Sequence, residues 1–161
     1  MSIDIRLANY QDPKDCDLVV ELLNGYAIDP MGGGEALSEY TQQNLAQALA
    51  KIPTAFSVLA FFDGQPAGLI NCFEGFSTFK CKPIINVHDV TVLPDFRGKG
   101  LSLKMMDKVE EVARERGACK MTLEVLEGNK VAQASYLKFG FSSYELDPKM
   151  GQAMFWEKPL K

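Results

Sequence analysis

The segment that most constrains the fold runs from residue 83 to residue 126, where a glycine-rich loop separates a strand-like stretch from a helix-like one. The stretch PIINVHDVTVL (83–93) is rich in β-branched residues and predicts a buried strand. Apolar residues then recur every three or four positions across 100–116, which predicts a helix, and KMTLEVL (120–126) predicts another strand. This order favours a right-handed crossover between neighbouring strands of one sheet.

The rest of the chain extends this segment into one mixed α/β domain. Alternating or β-branched stretches predict strands in IDIRLANY, AFSVLAFFDG, QPAGLINCFEGF, FSSYELD and QAMFWEKPL. Helical spacing predicts helices in KDCDLVVELLNGYAI, SEYTQQNLAQALAKI and NKVAQASYLKFG. Ser38 is a candidate N-cap and Gly140 a candidate helix end. The resulting order, βααβββαβαββ, predicts an α/β (α+β) fold with a mixed sheet of about seven strands and helices on both faces, formed by residues 1–161 as a single domain.

Composition argues against several classes of protein. Apolar residues make up 47% and charged residues 24% of the chain, as in soluble globular domains. No apolar run approaches the roughly 18 residues of a membrane span, and the N-terminus lacks a signal-peptide pattern, so we expect a cytoplasmic protein that does not bind membranes. The net charge of −4 argues against nucleic-acid binding. Four scattered cysteines and a single histidine predict no metal site and a reducing compartment.

The loop Arg97-Gly98-Lys99-Gly100 is a candidate anion site. A helix that begins beside Gly100 directs its first N–H groups and the positive end of its dipole outward, which attracts phosphate. The glycines allow close approach to the backbone, and the two cations add charge. The same residues also suit a plain strand-to-helix turn with surface cations. Neither GxxxxGK[ST] nor GxGxxG is present, so the common nucleotide loops are not predicted.

Two motifs together resemble the GNAT superfamily of acyl-CoA-dependent N-acyltransferases, in particular its polyamine/diamine and ribosomal-protein N-terminal acetyltransferase branches. The first, [Q/R]-x-x-G-x-[G/A], is met by Arg97, Gly100 and, with serine in place of Gly or Ala, Ser102. The second, N-x-x-A…Y-x-x-x-G-F, follows at the usual separation and is met by Asn129, Ala132, Tyr136, Gly140 and Phe141. The predicted order of elements fits this family along the whole chain.

The resemblance implies acetyl-CoA as the acetyl donor and no metal. Its pyrophosphate would lie on the N–H groups of residues 97–102, and its pantetheine arm in a slot between the strand that ends at Val92 and the strand 120–126. A backbone N–H near Val92 would polarise the thioester carbonyl. The cofactor-binding residues implied in this way are Val90, Val92, Arg97, Gly98, Lys99, Gly100, Leu101, Ser102, Asn129, Ala132 and Tyr136.

The resemblance also suggests which residues transfer protons. Tyr136 occupies the family position of the general acid that protonates the departing thiolate, although it also suits a core position. Three residues compete for the role of base: Asp89 matches an acidic family position, His88 titrates near neutral pH, and Glu124 matches a glutamate of the ribosomal-protein branch. Adjacent strand residues face opposite ways, so only one of His88 and Asp89 should face the acceptor unless a bulge intervenes. A water relay is a further alternative.

The resemblance implies that the acceptor binds near three segments: the glycine-rich loop 29–37, the connection 75–83 and the chain end. We expect the loop 29–37 to be mobile. The negative net charge favours a cationic primary amine, such as a polyamine or a lysine-like amine, and leaves a peptide lysine or N-terminus open. Asp29, Glu35 and Glu74 are candidate contacts for it, or simply part of a solvated surface.

A non-catalytic acyl-CoA sensor or interaction module would carry the same binding loop. Tyr136 argues for an enzyme, since a binder needs no phenol beside the sulfur. The apolar segment QAMFWEKPL (152–160) suggests an edge strand through which two copies of the chain form a homodimer.

Overall fold

The computed structural model describes residues 1–160, which form two compact units, one from Met1 to Leu123 and one beginning at Glu124. The strands are β1 (Ile3–Leu7), β2 (Phe56–Phe62), β3 (Gln65–Ser77), β4 (Lys82–Val92) and β5 (Lys120–Leu123). The helices are α1 (Pro13–Ile28), α2 (Glu39–Ala50), α3 (Leu101–Glu115) and α4 (Lys130–Phe139).

The first unit contains a five-stranded sheet in the order β1-β2-β3-β4-β5. The first three pairs are antiparallel, and β4 and β5 are parallel neighbours joined through α3. The predicted mixed α/β class is therefore confirmed, as is the prediction that the strands flanking the glycine loop are neighbours. Asp63 and Gly64 turn β2 into β3 with φ angles of 48° and 80°, the left-handed pair that a tight hairpin requires.

Helices cover both faces of this sheet, as the sequence predicts. Leu59 and Leu69 lie opposite each other in β2 and β3 and share a buried cluster with Val19 of α1. Gly68, the residue before Leu69 in β3, lies against α3, since a Cβ there would come within 2.8 Å of the Met105 side chain. Because consecutive strand residues face opposite sides, α1 and α3 lie on opposite faces, hereafter the α1 face and the α3 face.

Local chemistry sets the helix ends in this unit. Asp12 accepts a hydrogen bond from the N–H of Lys14 at the start of α1, and Ser38 accepts one from Thr41 at the start of α2, as predicted. Each cap satisfies an N–H group that has no partner within its helix.

The second unit differs from the sequence-based prediction. The two strands predicted in 141–147 and 152–160 are wrong: apart from one antiparallel bridge between Glu145 and Gln152, these segments form no strand. Every residue from 142 to 160 is exposed, so the aromatic and other apolar side chains there do not form a buried face. An isolated two-stranded ribbon without a buried face is marginal in water, which accounts for the difference. The homodimer expected through 152–160 stays a prediction.

No helix among residues 1–160 has both the length and the apolar character needed to cross a bilayer. The same residues contain no group of three or more His, Cys, Asp or Glu side chains placed to hold a metal ion.

Candidate active site

A β-bulge at His88 shapes the centre of the candidate site. Asn71 of β3 is paired with Asp89 of β4, but the next residue, Cys72, is paired with Val87. His88 is therefore an extra residue in β4 with no partner of its own in β3. A bulge of this kind bends its strand and redirects the side chains around it.

The bulge places His88 and Asp89 on the same face of the sheet. Asp89 lies beside Asn71, which is two residues from Leu69 and so belongs to the α1 face. The ring of His88 meets the ring of Phe73 edge-on, with centroids 5.2 Å apart, and Phe73 packs against the same buried cluster as Leu69. Regular alternation would have separated these two candidate bases, and the bulge brings them together.

A chain of hydrogen bonds crosses three strands and ends at Asp89. The Tyr10 hydroxyl and Ser57 Oγ are 2.7 Å apart, Ser57 Oγ lies 2.6 Å from Asn71 Oδ1, and Asn71 Nδ2 lies 3.1 Å from Asp89 Oδ2. Ser57 and Asn71 are almost fully buried, whereas Asp89 is partly exposed. These polar residues were missed in the sequence, although a serine in AFSVLAFF and an asparagine in GLINCF are polar positions in otherwise apolar strands.

Tyr26 of α1 is another residue near the candidate site, and the sequence predicts for it only a place in a helix. Burial, together with the charges of Asp89 and Asp29, raises the pKa of its phenol above the ordinary value. The phenol therefore keeps its proton at neutral pH and lies within the electric field of both carboxylates. Tyr26 is half-buried, and its phenol is suited to contact a polar substrate.

A slot begins where β5 stops following β4. The parallel ladder runs only from Ile84–Lys120 to Val87–Leu123, while β4 continues to Val92. Leu93 N–H donates to Ala67 of β3, so the preceding residue, Val92, directs its N–H and C=O toward the β5 side. Val90 has the same orientation, and neither residue has a strand partner on that side among residues 1–160. This is the open backbone edge that an extended amide-containing ligand can pair with.

The glycine loop leads from this edge into α3. Gly98 and Gly100 have φ angles of 78° and 77°, and a Cβ on either would meet no protein atom within 4 Å. Packing therefore does not exclude a side chain there, while the left-handed backbone favours glycine. Gly100 is the N-cap of α3 and supplies no side-chain acceptor for the first turn, unlike the caps of α1 and α2. Leu101 is buried and Ser102 half-buried, so what these residues offer a ligand is chiefly the backbone of a helix start.

Both cations of the loop contact protein groups in this structure. Arg97 Nε donates to the Val92 carbonyl at 3.0 Å, and Arg97 Nη2 lies 3.3 Å from Asp29 Oδ2. Lys99 Nζ lies 5.1 Å from the centre of the Phe62 ring. A pocket of about 280 Å³ lies beside Arg97, lined by Gly25, Ile28, Asp29, Thr91, Val92 and Leu93 among others. Arg97 thus lies where the end of α1, the end of β4 and the glycine loop meet.

In the second unit, the residues of the other motif build the two ends of α4. Asn129 Oδ1 accepts a hydrogen bond from Ala132 N–H at 3.2 Å, and Gly140 ends the helix with φ 120°. Phe141 N–H donates to the Tyr136 carbonyl at 2.9 Å, and the two rings lie edge-on with centroids 6.0 Å apart. The motif therefore has a structural role in this unit, and Tyr136 is half-buried within it.

The other acidic residues named as candidates, Glu124, Glu74 and Glu35, have different surroundings from His88 and Asp89. β5 ends at Leu123, short of the end predicted at residue 126, so Glu124 lies beyond the observed strand. Glu124 is exposed and begins the second unit. Glu74 already pairs with Arg116, with Oε1 and Nη1 3.1 Å apart, and Glu35 is exposed. Of the predicted site residues, the first unit thus contains His88, Asp89 and the glycine loop.

Comparison with known proteins agrees with this architecture. The model of the acetyltransferase (GNAT) family matches residues 19–141. Thialysine N-epsilon-acetyltransferase of Bos taurus is 38% identical over 84 residues, which is 48% of this chain and 48% of the relative. Streptothricin acetyltransferase of Streptomyces lavendulae is 34% identical over 90 residues, 56% of this chain and 46% of the relative. In both alignments the chain spans about half the length of the curated relative.

A solved structure shares the fold along nearly the entire chain. AAC(6')-Iy, in complex with the bisubstrate analogue CoA-S-monomethyl-acetylneamine, aligns with a TM-score of 0.76 at 18% identity and covers 99% of this chain and 100% of that one. At this identity the likeness establishes the fold alone. The family match, however, spans most of the chain, including the bulged strand, the glycine loop and α4, and we conclude that the chain belongs to the acetyltransferase (GNAT) family.

Proposed function

We propose that this protein is an N-acetyltransferase that transfers an acetyl group from acetyl-CoA to a cationic primary amine within a ternary complex. The observation that carries the proposal is the arrangement of β4. Its open edge and the glycine loop beyond it suit an acyl-CoA, and the bulge sets His88 and Asp89 on one face of the same strand.

The first unit fits the donor. The start of α3 behind Gly98 and Gly100 presents backbone N–H groups and the positive end of a helix dipole, which suit a pyrophosphate. The edge of β4 at Val90 and Val92 presents peptide groups that suit the amides of a pantetheine arm. Bound there, acetyl-CoA would supply an activated acetyl thioester. The Val92 N–H is the backbone donor that we assign to the thioester carbonyl oxygen.

We assign Asp89 as the base. Its Oδ2 accepts from Asn71, and among residues 1–160 its Oδ1 has no hydrogen-bond partner, so Oδ1 is the atom that we expect to take the proton of the ammonium. His88, whose ring is held against Phe73, would line the acceptor site. As the amine nitrogen bonds to the carbonyl carbon and the carbon–sulfur bond breaks, the thiolate needs a proton, and Tyr136 is assigned to provide it through its phenol. The nitrogen loses its second proton to solvent as the amide forms, and solvent returns a proton to the phenolate.

The charges around Asp89 favour a cationic acceptor. The carboxylates of Asp89 and Asp29 both act on the Tyr26 phenol, so this part of the α1 face carries a negative potential. Arg97 offsets the charge of Asp29 on the side of the glycine loop. An ammonium would therefore be drawn toward Asp89, and two curated relatives are named for acceptors that they acetylate, thialysine and streptothricin.

Calorimetry of acetyl-CoA binding tests the donor half of the proposal. Gly100→Asp should abolish binding, because a carboxylate at the start of α3 repels the pyrophosphate. Gly117→Asp is the matched control: Gly117 lies beyond the other end of the same helix, has φ 73° and also has open space around its Cβ position. Both substitutions strain a left-handed residue equally, so only the loss of the anion site should separate them. Equal affinities for acetyl-CoA in the two variants would contradict the assignment.

A further inference from the structure

We propose that Asn71, held by Ser57 and Tyr10, is a positioning residue that aims the Asp89 carboxylate at the acceptor amine. The proposal rests on the proposed function, since it gives the hydrogen-bonded chain a role in the step assigned to Asp89.

The hydrogen bonds from Tyr10 to Asp89 have one consistent donor-to-acceptor direction. The amide oxygen of Asn71 can only accept, so the Ser57 hydroxyl donates its single proton to that oxygen, 2.6 Å away. Ser57 Oγ must then accept from the Tyr10 hydroxyl, 2.7 Å away. The NH₂ group of Asn71 is left facing Asp89 Oδ2 at 3.1 Å, where a carboxylate can only accept. Each donor thus fixes the orientation of the next group.

Removing the hydroxyl of Tyr10 or Ser57 would loosen the hold on the Asn71 amide. If Asn71 turned over, its amide oxygen would face the carboxylate, and two acceptors would repel each other. The carboxylate opposes this turn because it can only accept, and Ser57 holds the Asn71 side chain in its present orientation through the 2.6 Å bond to the amide oxygen. Burial raises the pKa of the Tyr10 phenol, so that hydroxyl remains a donor at neutral pH.

The sheet holds these hydrogen-bonded side chains in place beside the bulge. Ser57, Asn71 and Asp89 are direct partners across β2, β3 and β4, and the Asn71–Asp89 pair is the last one in register before the bulge. Backbone regularity therefore ends beside Asp89, and the side-chain bond from Asn71 is what holds its carboxylate. Tyr10, by contrast, lines a separate groove between α1 and α2, so it acts on Asp89 only through Ser57 and Asn71.

Loss of this support should lower turnover without weakening donor binding. A displacement of about 1 Å between reacting groups can cost about 10²-fold in rate. We therefore expect Ser57→Ala to reduce kcat by roughly 10- to 100-fold and Tyr10→Phe, which leaves the Ser57–Asn71 bond in place, to reduce it by less. The KM for acetyl-CoA should not change in either variant.

A double-mutant cycle distinguishes positioning from a structural role. The turnover numbers of Ser57→Ala and Tyr10→Phe are measured in the parent protein and again with Asp89→Asn, using the best amine from a panel with acetyl-CoA saturating. If the hydrogen-bonded residues act through Asp89, both substitutions lower kcat in the parent protein and have little further effect on kcat in the Asp89→Asn background. Tyr40→Phe, which removes the same hydroxyl from an exposed tyrosine of α2, should leave kcat unchanged in both backgrounds.

The alternative outcomes are distinct. An equal loss in both backgrounds, or no loss in either, would overturn the positioning role and leave the proposed function intact. If Asp89→Asn itself turned over at the parent rate, the assignment of the base would fail, and the positioning role with it. Should Ser57→Ala not fold, Tyr10→Phe carries the same cycle, because it removes a single hydroxyl and retains the ring that packs beside the core.

Discussion

His88 and Asp89 are consecutive residues of β4, yet both side chains lie on the α1 face, because His88 is the extra residue of a bulge. The relationship gives one strand two polar side chains beside the open edge that we assign to acetyl-CoA. It also makes the two residues separable by mutation: Asp89 is bonded to the buried Asn71, whereas His88 is exposed and contacts Phe73.

Asp89→Asn should lower kcat by about 10²–10⁴-fold, the usual contribution of a positioned acid or base, because the amide cannot take the proton of the ammonium. His88→Gln should mainly raise the KM for the amine, because it alters the surface beside the base. Steady-state kinetics with both substrates varied separates these effects. A larger loss of kcat in His88→Gln than in Asp89→Asn would exchange the two roles, and a comparable loss in Glu124→Gln would favour that glutamate or a water relay.

Asp29→Asn should strengthen acetyl-CoA binding by up to about fivefold, since loss of the exposed ion pair releases Arg97 for the pyrophosphate. The asparagine can still accept from Met31 N–H, so the turn after α1 is retained. Calorimetry at two salt concentrations measures the change. In an Arg97→Gln background the gain should shrink; weaker binding in Asp29→Asn would instead mean that Asp29 holds Arg97 ready for the ligand.

Tyr136→Phe should retain acetyl-CoA affinity but lower kcat, by about 10²–10⁴-fold if the phenol is the general acid. The phenyl ring keeps the edge-on contact with Phe141, and thermal unfolding of the variant is measured alongside its turnover. Turnover is compared with that of Tyr40→Phe under conditions in which chemistry limits the rate. Parent-like turnover would show that Tyr136 is not the general acid.

Asp15→Asn should reduce the free energy of unfolding at pH 7 by about 1.5–3 kcal/mol. Asp15 is buried, binds both Nη atoms of Arg6 at 2.8 Å and accepts from Asn9 N–H. The bonds to Arg6 hold its pKa below the ordinary value. Their contribution is therefore fully present above about pH 4 and is lost as the pH falls through the lower native pKa.

Urea unfolding of the parent and Asp15→Asn across acidic pH checks this, and the difference between them should shrink as the pH falls. The neighbouring exposed Asp17→Asn is the control and should behave like the parent. A difference that did not depend on pH would mean that the effect of Asp15→Asn does not come from its charge.

The features that could be predicted from the sequence are those decided by near neighbours. The Ser38 cap of α2, the Asp63-Gly64 turn and the end of α4 at Gly140 each depend on a few adjacent residues. The crossover between β4 and β5 follows from the strand, loop and helix order of a single segment. Family resemblance added the expectation of a slot between these strands, which agrees with the early end of the β4–β5 ladder.

The features that escaped prediction depend on pairing between distant segments. The bulge at His88 exists only relative to the register of β3, and the contacts of Ser57, Asn71 and Asp89 appear only when β2, β3 and β4 are aligned. The strands predicted in 141–147 and 152–160 were wrong for the same reason, because strand propensity does not form a strand without a partner.

The proposed acetyl transfer is tested by following thiol release from acetyl-CoA with a panel of primary amines that includes polyamines, lysine-like amines and peptides with a free N-terminus. We expect thiol release that depends on the amine, is fastest with a cationic acceptor, accompanies transfer of one acetyl group to the amine nitrogen and falls in Asp89→Asn. Tight binding of acetyl-CoA with no amine-dependent thiol release across the panel would contradict it and would favour a protein that binds acyl-CoA without catalysis.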